Sequence, residues 1–349
     1  MNQAGYRPVY ALSRGGHPES VHYGAIAVVD ATGRLLASFA DPYQSSFLRS
    51  SAKPFQAMPF VLAGGVQHYG LTPAELALLC ASHSGTDEHL AVLHSLMHKC
   101  GLGEHALLCG THLPYHAPTA ERLLRQGDAP TAGRHNCSGK HTGMLAYARL
   151  RGWPLDSYID VQHPLQQEIL ALFAEFAGLP SEDLAVGIDG CSAPNWAVPL
   201  YNTALAYARL ADPSGLPAAQ AAACQQITAA MQSHPDMVAG PQRFDTDLMN
   251  AAPGRIISKL GAEGYQAFGL PAGALAPGSP GVGIAIKIAD GDARKWASHA
   301  VALEVLDQLG VLEAAALAAL SAYGPRRPVT NWRGTYVGEA APCFTLERA

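Results

Sequence analysis

The spacing of apolar and polar positions divides this 349-residue chain into sheet-forming ends and a helical middle. Near the front, Ala25-Ile26-Ala27-Val28-Val29-Asp30 and Arg34-Leu35-Leu36-Ala37-Ser38-Phe39 flank Ala31-Thr32-Gly33, which predicts a hairpin with a short glycine turn. From residue 53 to 62 the spacing becomes helical, with Pro54 tolerable in a first turn, Pro59 expected to bend the helix, and Gly64-Gly65 as its stop. Thr72-Pro73-Ala74-Glu75 opens a short apolar helix that runs into Cys80-Ala81-Ser82. Residues 86–100 read as an amphipathic helix with Thr86 as N-cap and Gly101 as stop. Helical spacing recurs over 118–126, 138–151, 164–177, 196–210 and 217–232, while 184–191 reads as a buried strand. Towards the end, 255–259 and 282–288 read as strands, 269–281 as a Gly/Pro-rich loop between strands, and 296–320 as one long Ala-rich helix. Strands at both ends around a helical insertion predict a single α/β (α+β) domain over 1–349. Its sheet is expected from about 20–50 and 254–325, and its helical region from about 53–250.

Composition narrows the partners. Charged residues make up 15% of the chain and the net charge is −5, which argues against a nucleic-acid partner and against an anionic membrane surface. No run of eighteen apolar residues predicts a membrane-spanning helix. The first twenty residues lack a basic-then-apolar leader pattern, and the seven cysteines follow no framework spacing. Both features lead us to expect a cytoplasmic protein with reduced thiols, and the low charge leaves room for a homo-oligomeric interface.

Three short motifs bring chemistry into the picture. Ser50-Ser51-Ala52-Lys53, Ser82-His83-Ser84 and Lys259-Leu260-Gly261 read in order as S-x-x-K, S-x-S and K-x-G, the layout of serine acyl-transfer enzymes such as class A β-lactamases and penicillin-binding proteins. The chain has six lysines against seventeen arginines, and two of the six lie in these motifs. Lysine can give up its proton when desolvated, whereas guanidinium cannot. A helix starting at Ser50 brings Lys53 onto the same face, whereas Ser51 faces away. Backbone N–H groups at such a helix start can stabilise an oxyanion. Taken alone, each motif has a plain structural reading: an N-cap serine, a helix-ending turn, a lysine at a strand end. Their order gives them weight.

A second cluster lies in His135-Asn136-Cys137-Ser138-Gly139-Lys140-His141 and in Asp189-Gly190-Cys191. Cys137, Lys140 and His141 fall on one face at a helix start, and strand alternation puts Asp189 and Cys191 on one side. Two thiols with a histidine or an aspartate can form a zinc site. The fifty-four positions between the cysteines match no zinc-finger pattern, so spacing alone favours two buried cysteines that bind nothing. His135 and Asn136 can instead hydrogen-bond a substrate.

Together, Arg49-Ser50-Ser51-Ala52-Lys53-Pro54, Cys80-Ala81-Ser82-His83, Cys109-Gly110-Thr111-His112-Leu113-Pro114, Asn136-Cys137-Ser138-Gly139-Lys140-His141 and Gly187-Ile188-Asp189-Gly190-Cys191 resemble the rhizobial-type L-asparaginases, over roughly residues 20–325. The resemblance implies a fold similar to serine glutaminases and β-lactamases, hydrolysis of L-asparagine to L-aspartate and ammonia, and a homodimer. It implies Ser50 as nucleophile, Lys53 as its base, and Ser82 as a second serine with Lys259 as its lysine. It implies zinc held by Cys137, Lys140 and Cys191, acting on substrate binding more than as a source of nucleophile. Asp189 is then expected to meet the substrate's amino group, with Arg49, His83, Asn136, Lys140 and His141 around the substrate. Ser84 stands where β-lactamases carry asparagine, which speaks against a penicillin-type site, and Arg243-Phe244-Asp245-Thr246 has no assigned role. The readings that compete are a glutaminase with the same machinery, a penicillin-recognising peptidase, and a catalytically silent amino-acid- or zinc-binding protein.

Overall fold

The computed structural model describes residues 5–349. The chain forms two compact units, each assembled from separated segments. The first takes residues up to Ser51, Val198–Gly215 and Ala251–Ala349; the second takes Ala52–Ala197 and Leu216–Asn250.

The first unit is a nine-stranded sheet whose pairings are all antiparallel. Its strands are β1 (Arg7–Arg14), β2 (His17–Asp30), β3 (Leu35–Phe39), β4 (Ile257–Leu260), β5 (Tyr265–Leu270), β6 (Val282–Ile288), β7 (Arg327–Thr330), β8 (Tyr336–Pro342) and β9 (Glu347–Arg348). They lie in the order β7-β8-β1-β2-β6-β5-β4, with β3 pairing both β2 and β9. The long β2 explains the layout. Its polar first half pairs β1, and its buried second half pairs β6 from Gly24↔Ile288 to Asp30↔Val282, with β3 on the other side. The helix Leu200–Ala211 packs on β2, β5 and β6. It approaches so closely that a Cβ on Gly283 would overlap the backbone of Ala204 and Ala208. Gly283→Ala is therefore expected to cost about 3 kcal/mol, as overpacking does. A urea-unfolding midpoint equal to wild type would sink that account.

The second unit is helical. The helix Lys53–Leu62, buried from Lys53 to Val61, packs against the helices Ser138–Arg151, Pro164–Ala177 and Ala218–Ser233. Phe55 meets Phe173 and Phe176 edge-on with centroids 5.3 and 5.7 Å away, and Trp196 stacks on Phe173 at 4.9 Å. Gly139 and Gly143, one turn apart, let the Ser138–Arg151 helix close on Pro73–Leu79. A Cβ on Gly139 would overlap Leu78 O, and one on Gly143 would lie 3.1 Å from Leu79.

Several expected elements differ. The sheet reaches beyond 20–50 and 254–325, from Arg7 to Arg348. Residues 196–210 divide into the end of a strand, Pro194–Pro199, and the helix Leu200–Ala211, because Pro199 in extended conformation caps the helix. The expected helix over 296–320 is two, Trp296–Gln308 and Ala314–Ala319, parted by Gly310 at φ +70°. The run 184–191 is a strand only over Ala185–Ile188, largely exposed, pairing Pro194–Pro199. No helix among the described residues is long and apolar enough to cross a membrane.

Candidate active site

In the second unit a buried polar cluster grows from the first turn of the Lys53 helix. Lys53 is 1% exposed, and its Nζ donates to Ala81 O at 2.6 Å and to Ser82 Oγ at 2.8 Å, with Asn136 O at 3.5 Å. Burying an ammonium is costly unless acceptors surround it, and here a hydroxyl and two carbonyls do so. Ser82 N donates to Val238 O and His83 N to Asn136 O, so the Ser82-His83-Ser84 segment is stitched between two other loops.

His83, expected near substrate, is fully buried. Its Nδ1 accepts from Gly85 N, its Nε2 meets Ser138 Oγ at 2.8 Å, and Ser138 Oγ donates to Gly133 O. Burial, reinforced by His89 and Lys53, holds the imidazole well below its usual pKa, so it is neutral. His83 fixes loops and does not reach outward. Asn136 is half-buried, and His112 accepts its backbone N–H at 3.1 Å through Nε2. His112 and His135 meet edge to face at 4.4 Å, and His135 Nδ1 accepts from Cys137 N. His112 lies in one of the motif strings, but no sequence signal tied it to Asn136.

Cys137 caps the Ser138–Arg151 helix, and Lys140 Nζ donates to Cys191 Sγ at 2.9 Å. A hydrogen bond from the Cys191 thiol pulls Cys137 well below the ordinary thiol pKa against its burial, with the Lys53 and Lys140 ammonium groups assisting. The same bond, with burial, raises Cys191 above its ordinary value. Lys140 is raised above its usual value because the charge of Cys191, then Cys137 and Asp189, outweighs its burial. His141 is held neutral by burial, its pKa pushed down to about 4; its Nδ1 meets Tyr158 OH at 2.6 Å, and its Nε2 is buried without a hydrogen-bond partner. Asp189 lies past the end of its strand in a turn, half-buried, with Oδ1 accepting from Gly190 N. Ser192 follows at φ +69°, a left-handed conformation that favours glycine. Cys191 thus reaches the cluster through a strained turn and not by strand alternation.

The donor set bears on the implied metal. Among the described residues, no group of three or more histidine, cysteine, aspartate and glutamate side chains is arranged to hold a metal ion. Cys137 and Cys191 with the amine of Lys140 nevertheless form a soft S₂N set, and the orphaned Nε2 of the adjacent His141 lies in the same buried patch. That set fits zinc once Lys140 has lost its proton.

The helix runs over Lys53–Leu62 as expected, and the Arg49–Ala52 segment that precedes it, leading out of the first unit, is a 3-10 turn. Ser50 is half-buried and follows Arg49 at φ +53°, a strained conformation for a side-chain-bearing residue. Arg49 Nη1 lies 3.8 Å from Glu263. Ser51 is an anchor: its Oγ donates to Lys259 O at 3.1 Å and its carbonyl accepts from Tyr207 OH at 2.7 Å. Lys259 is fully buried on β4, with Nζ donating to Leu260 O. Gly261 is forced, since a Cβ there would stand 2.6 Å from Leu48 O and 3.1 Å from Ser51 Oγ. The K-x-G motif therefore supports the very turn that carries Ser50.

Within the second unit a buried lysine thus bonds a serine hydroxyl close to the Cys137 and Cys191 thiols. No curated protein matches the chain. Among solved structures, a probable glutaminase from Bacillus subtilis complexed with 6-diazo-5-oxo-L-norleucine is 13% identical, covering 83% of this chain and 84% of that one, with a TM-score of 0.40. The native form of Mglu is 14% identical over 84% of this chain and 66% of that one, with a TM-score of 0.42. Likeness that distant lends nothing to the assignment of residues. The family model described as L-asparaginase II matches residues 10–342, and the chain belongs to that family of amide hydrolases.

Proposed function

We propose that this chain hydrolyses L-asparagine to L-aspartate and ammonia through an ester on Ser50. The observation that carries the reading is the buried Lys53 Nζ at 2.8 Å from Ser82 Oγ, three positions after Ser50. Once Lys53 has given up a proton to solvent, its amine takes the proton of Ser50, whose oxygen attacks the side-chain amide carbon. The tetrahedral intermediate expels ammonia with a proton passed back through Lys53 and Ser82. Water then cleaves the aspartyl ester, giving up its proton by the same route. Lys259, buried beside the Ser50 turn, is assigned the role of a second base or electrostatic support. Asp189 is assigned the substrate ammonium. Ammonia release from L-asparagine and L-glutamine tests the reading. A higher kcat/KM for asparagine supports it, a higher one for glutamine makes the chain a glutaminase, and binding without release makes it a binding protein. One methylene is worth about 1–3 kcal/mol of discrimination, so both amides must be measured.

Because Lys53 bonds Ser82 directly, a second reading makes Ser82 the nucleophile, and single alanine variants of the two serines separate them.

Zinc, held by Cys137, Lys140 and Cys191, would supply a Lewis-acid contact for a substrate oxygen. Its binding must displace the proton kept on Lys140 and the one that the raised Cys191 thiol retains. Zinc affinity is therefore expected to rise with pH, by about tenfold per unit for each proton released. Calorimetry in buffers of different ionisation enthalpy checks this; a pH-independent affinity would remove zinc from the trio. Cys137→Ser is expected to raise KM for asparagine more than it lowers kcat, and an unchanged KM with zinc supplied contradicts that.

A further inference from the structure

One polar atom of the thiol cluster is left over by the roles assigned above. His141 is fully buried, and its Nε2 has no hydrogen-bond partner. The residue sits one turn after Cys137 on the same helix, with His141 N donating to Cys137 O at 3.0 Å. It directly follows Lys140, whose Nζ donates to Cys191 Sγ at 2.9 Å. The other ring nitrogen, Nδ1, is taken by Tyr158 OH at 2.6 Å. His141 and Cys191 interact through their side chains, so that contact falls to Nε2, outside full hydrogen-bond geometry.

Tyr158 decides which of the two nitrogens carries the proton. It is fully buried, and its hydroxyl oxygen accepts from Leu108 N at 2.8 Å. Gln166 Nε2 pins its backbone by donating to Tyr158 O at 2.7 Å, and its ring meets the imidazole edge to face at 5.5 Å. The hydroxyl has one hydrogen to place. With the imidazole proton on Nδ1, the Tyr158 oxygen would receive two N–H groups and its own hydrogen would have no acceptor, beside a bare lone pair on Nε2. With the proton on Nε2, Tyr158 donates to Nδ1, and the one group still seeking a partner is the Nε2–H. Buried groups without partners are costly, so the second arrangement prevails. An Nε2 that holds a proton has no lone pair to give a metal.

We propose that Tyr158 fixes His141 with its proton on Nε2, which makes His141 a hydrogen-bond donor to the Cys191 sulfur and keeps it out of the metal's ligand set. Cys137, Lys140 and Cys191 then supply three protein donors and leave a fourth position open, the pattern of zinc sites that act on a substrate. A fourth side chain would close that position. A donor to a ligating sulfur also holds that ligand in place. Tyr158 is thus a positioning residue that acts through His141. The ligand half of the proposal rests on the zinc reading of the trio, and the place of the proton does not.

Long-range proton–nitrogen correlation spectra of the histidine rings, in the full-length metal-free protein, read the place of the proton, with His141→Gln giving the assignment. Wild type is expected to carry it on Nε2, and that proton resonance is expected to move in Cys191→Ala. Tyr158→Phe, which keeps the packing, should show both tautomers. A proton on Nδ1 in wild type, or an Nε2–H signal that ignores Cys191→Ala, overturns the proposal. Cobalt(II), whose absorption reports its ligands, tests the other half. His141→Gln, which offers an N–H at nearly the same place, should bind it with the wild-type spectrum. His141→Ala should weaken zinc about 10- to 100-fold, the usual worth of a group that supports a ligand. A cobalt spectrum that changes in His141→Gln makes His141 a ligand and refutes the proposal. If neither metal binds wild type, the zinc reading falls, and the ring spectra still decide the roles of Tyr158 and His141.

Discussion

Ser50→Ala is expected to lower kcat/KM for asparagine by at least about 10³-fold while leaving the unfolding transition in place. The size follows from covalent chemistry. Without the hydroxyl no ester forms, and what remains is the catalysis that binding and electrostatics give to direct attack by water. The stability forecast follows from the structure. Ser50 is half-buried, whereas the hydrogen bonds that hold the turn belong to Ser51, whose Oγ and carbonyl are tied to Lys259 and Tyr207. Ser51→Ala should therefore show the reverse balance, a loss of about 1 kcal/mol of stability with activity largely kept. Hydroxylamine supplies a second measure. It should intercept the ester in wild type as the hydroxamate of aspartate, and none should form in Ser50→Ala. A Ser50→Ala enzyme that still makes hydroxamate, paired with a dead Ser82→Ala, would move the nucleophile to Ser82.

The parts of this fold that were legible in the sequence are those where local chemistry decides. The hairpin after Ala25 is set by alternation and by Asp30, whose Oδ1 accepts from Thr32 N, Thr32 Oγ1 and Arg34 N, with Gly33 at φ +92°. Thr86 caps its helix as expected, although its capping-box partner is His89 and not the usual glutamate. What was missed lacks a local signal. The outer half of β2 is polar and exposed, β1 buries only Val9 and Tyr10, and β7 and β9 are short, so they form because neighbouring strands offer edges. The run Ala185–Ile188 is apolar yet exposed, which no periodicity can show. The site divides the same way. Ser50, Lys53, Ser82, Cys137, Lys140 and Lys259 sit in contiguous motifs, so residue type and spacing make them candidates. His83 reads as a substrate contact because it sits inside a motif, but burial makes it a brace. Arg243 meets Ser84 and the ring of Tyr115 across more than a hundred positions, a pairing that a linear reading does not contain.

Lys53 offers the sharpest separation between charge and proton transfer. Lys53→Met removes the group that bonds Ala81 O and Ser82 Oγ, and it should lower kcat by about 10²–10⁴-fold, the range that a positioned base supplies. Its effect on stability is expected to be small, because two terms oppose. The acceptors left behind cost about 1–3 kcal/mol, and relieving a buried ammonium returns a comparable amount. Lys53→Arg restores the positive charge and the donors but not the chemistry, since guanidinium does not give up its proton in a protein. It should therefore be as slow as Lys53→Met, and a small primary amine added to Lys53→Ala should recover turnover in proportion to its concentration. An arginine variant within tenfold of wild type would mean that Lys53 acts by its charge alone. The proton would then have to leave Ser50 by another path, and Lys259, buried beside the Ser50 turn, would become the base to examine.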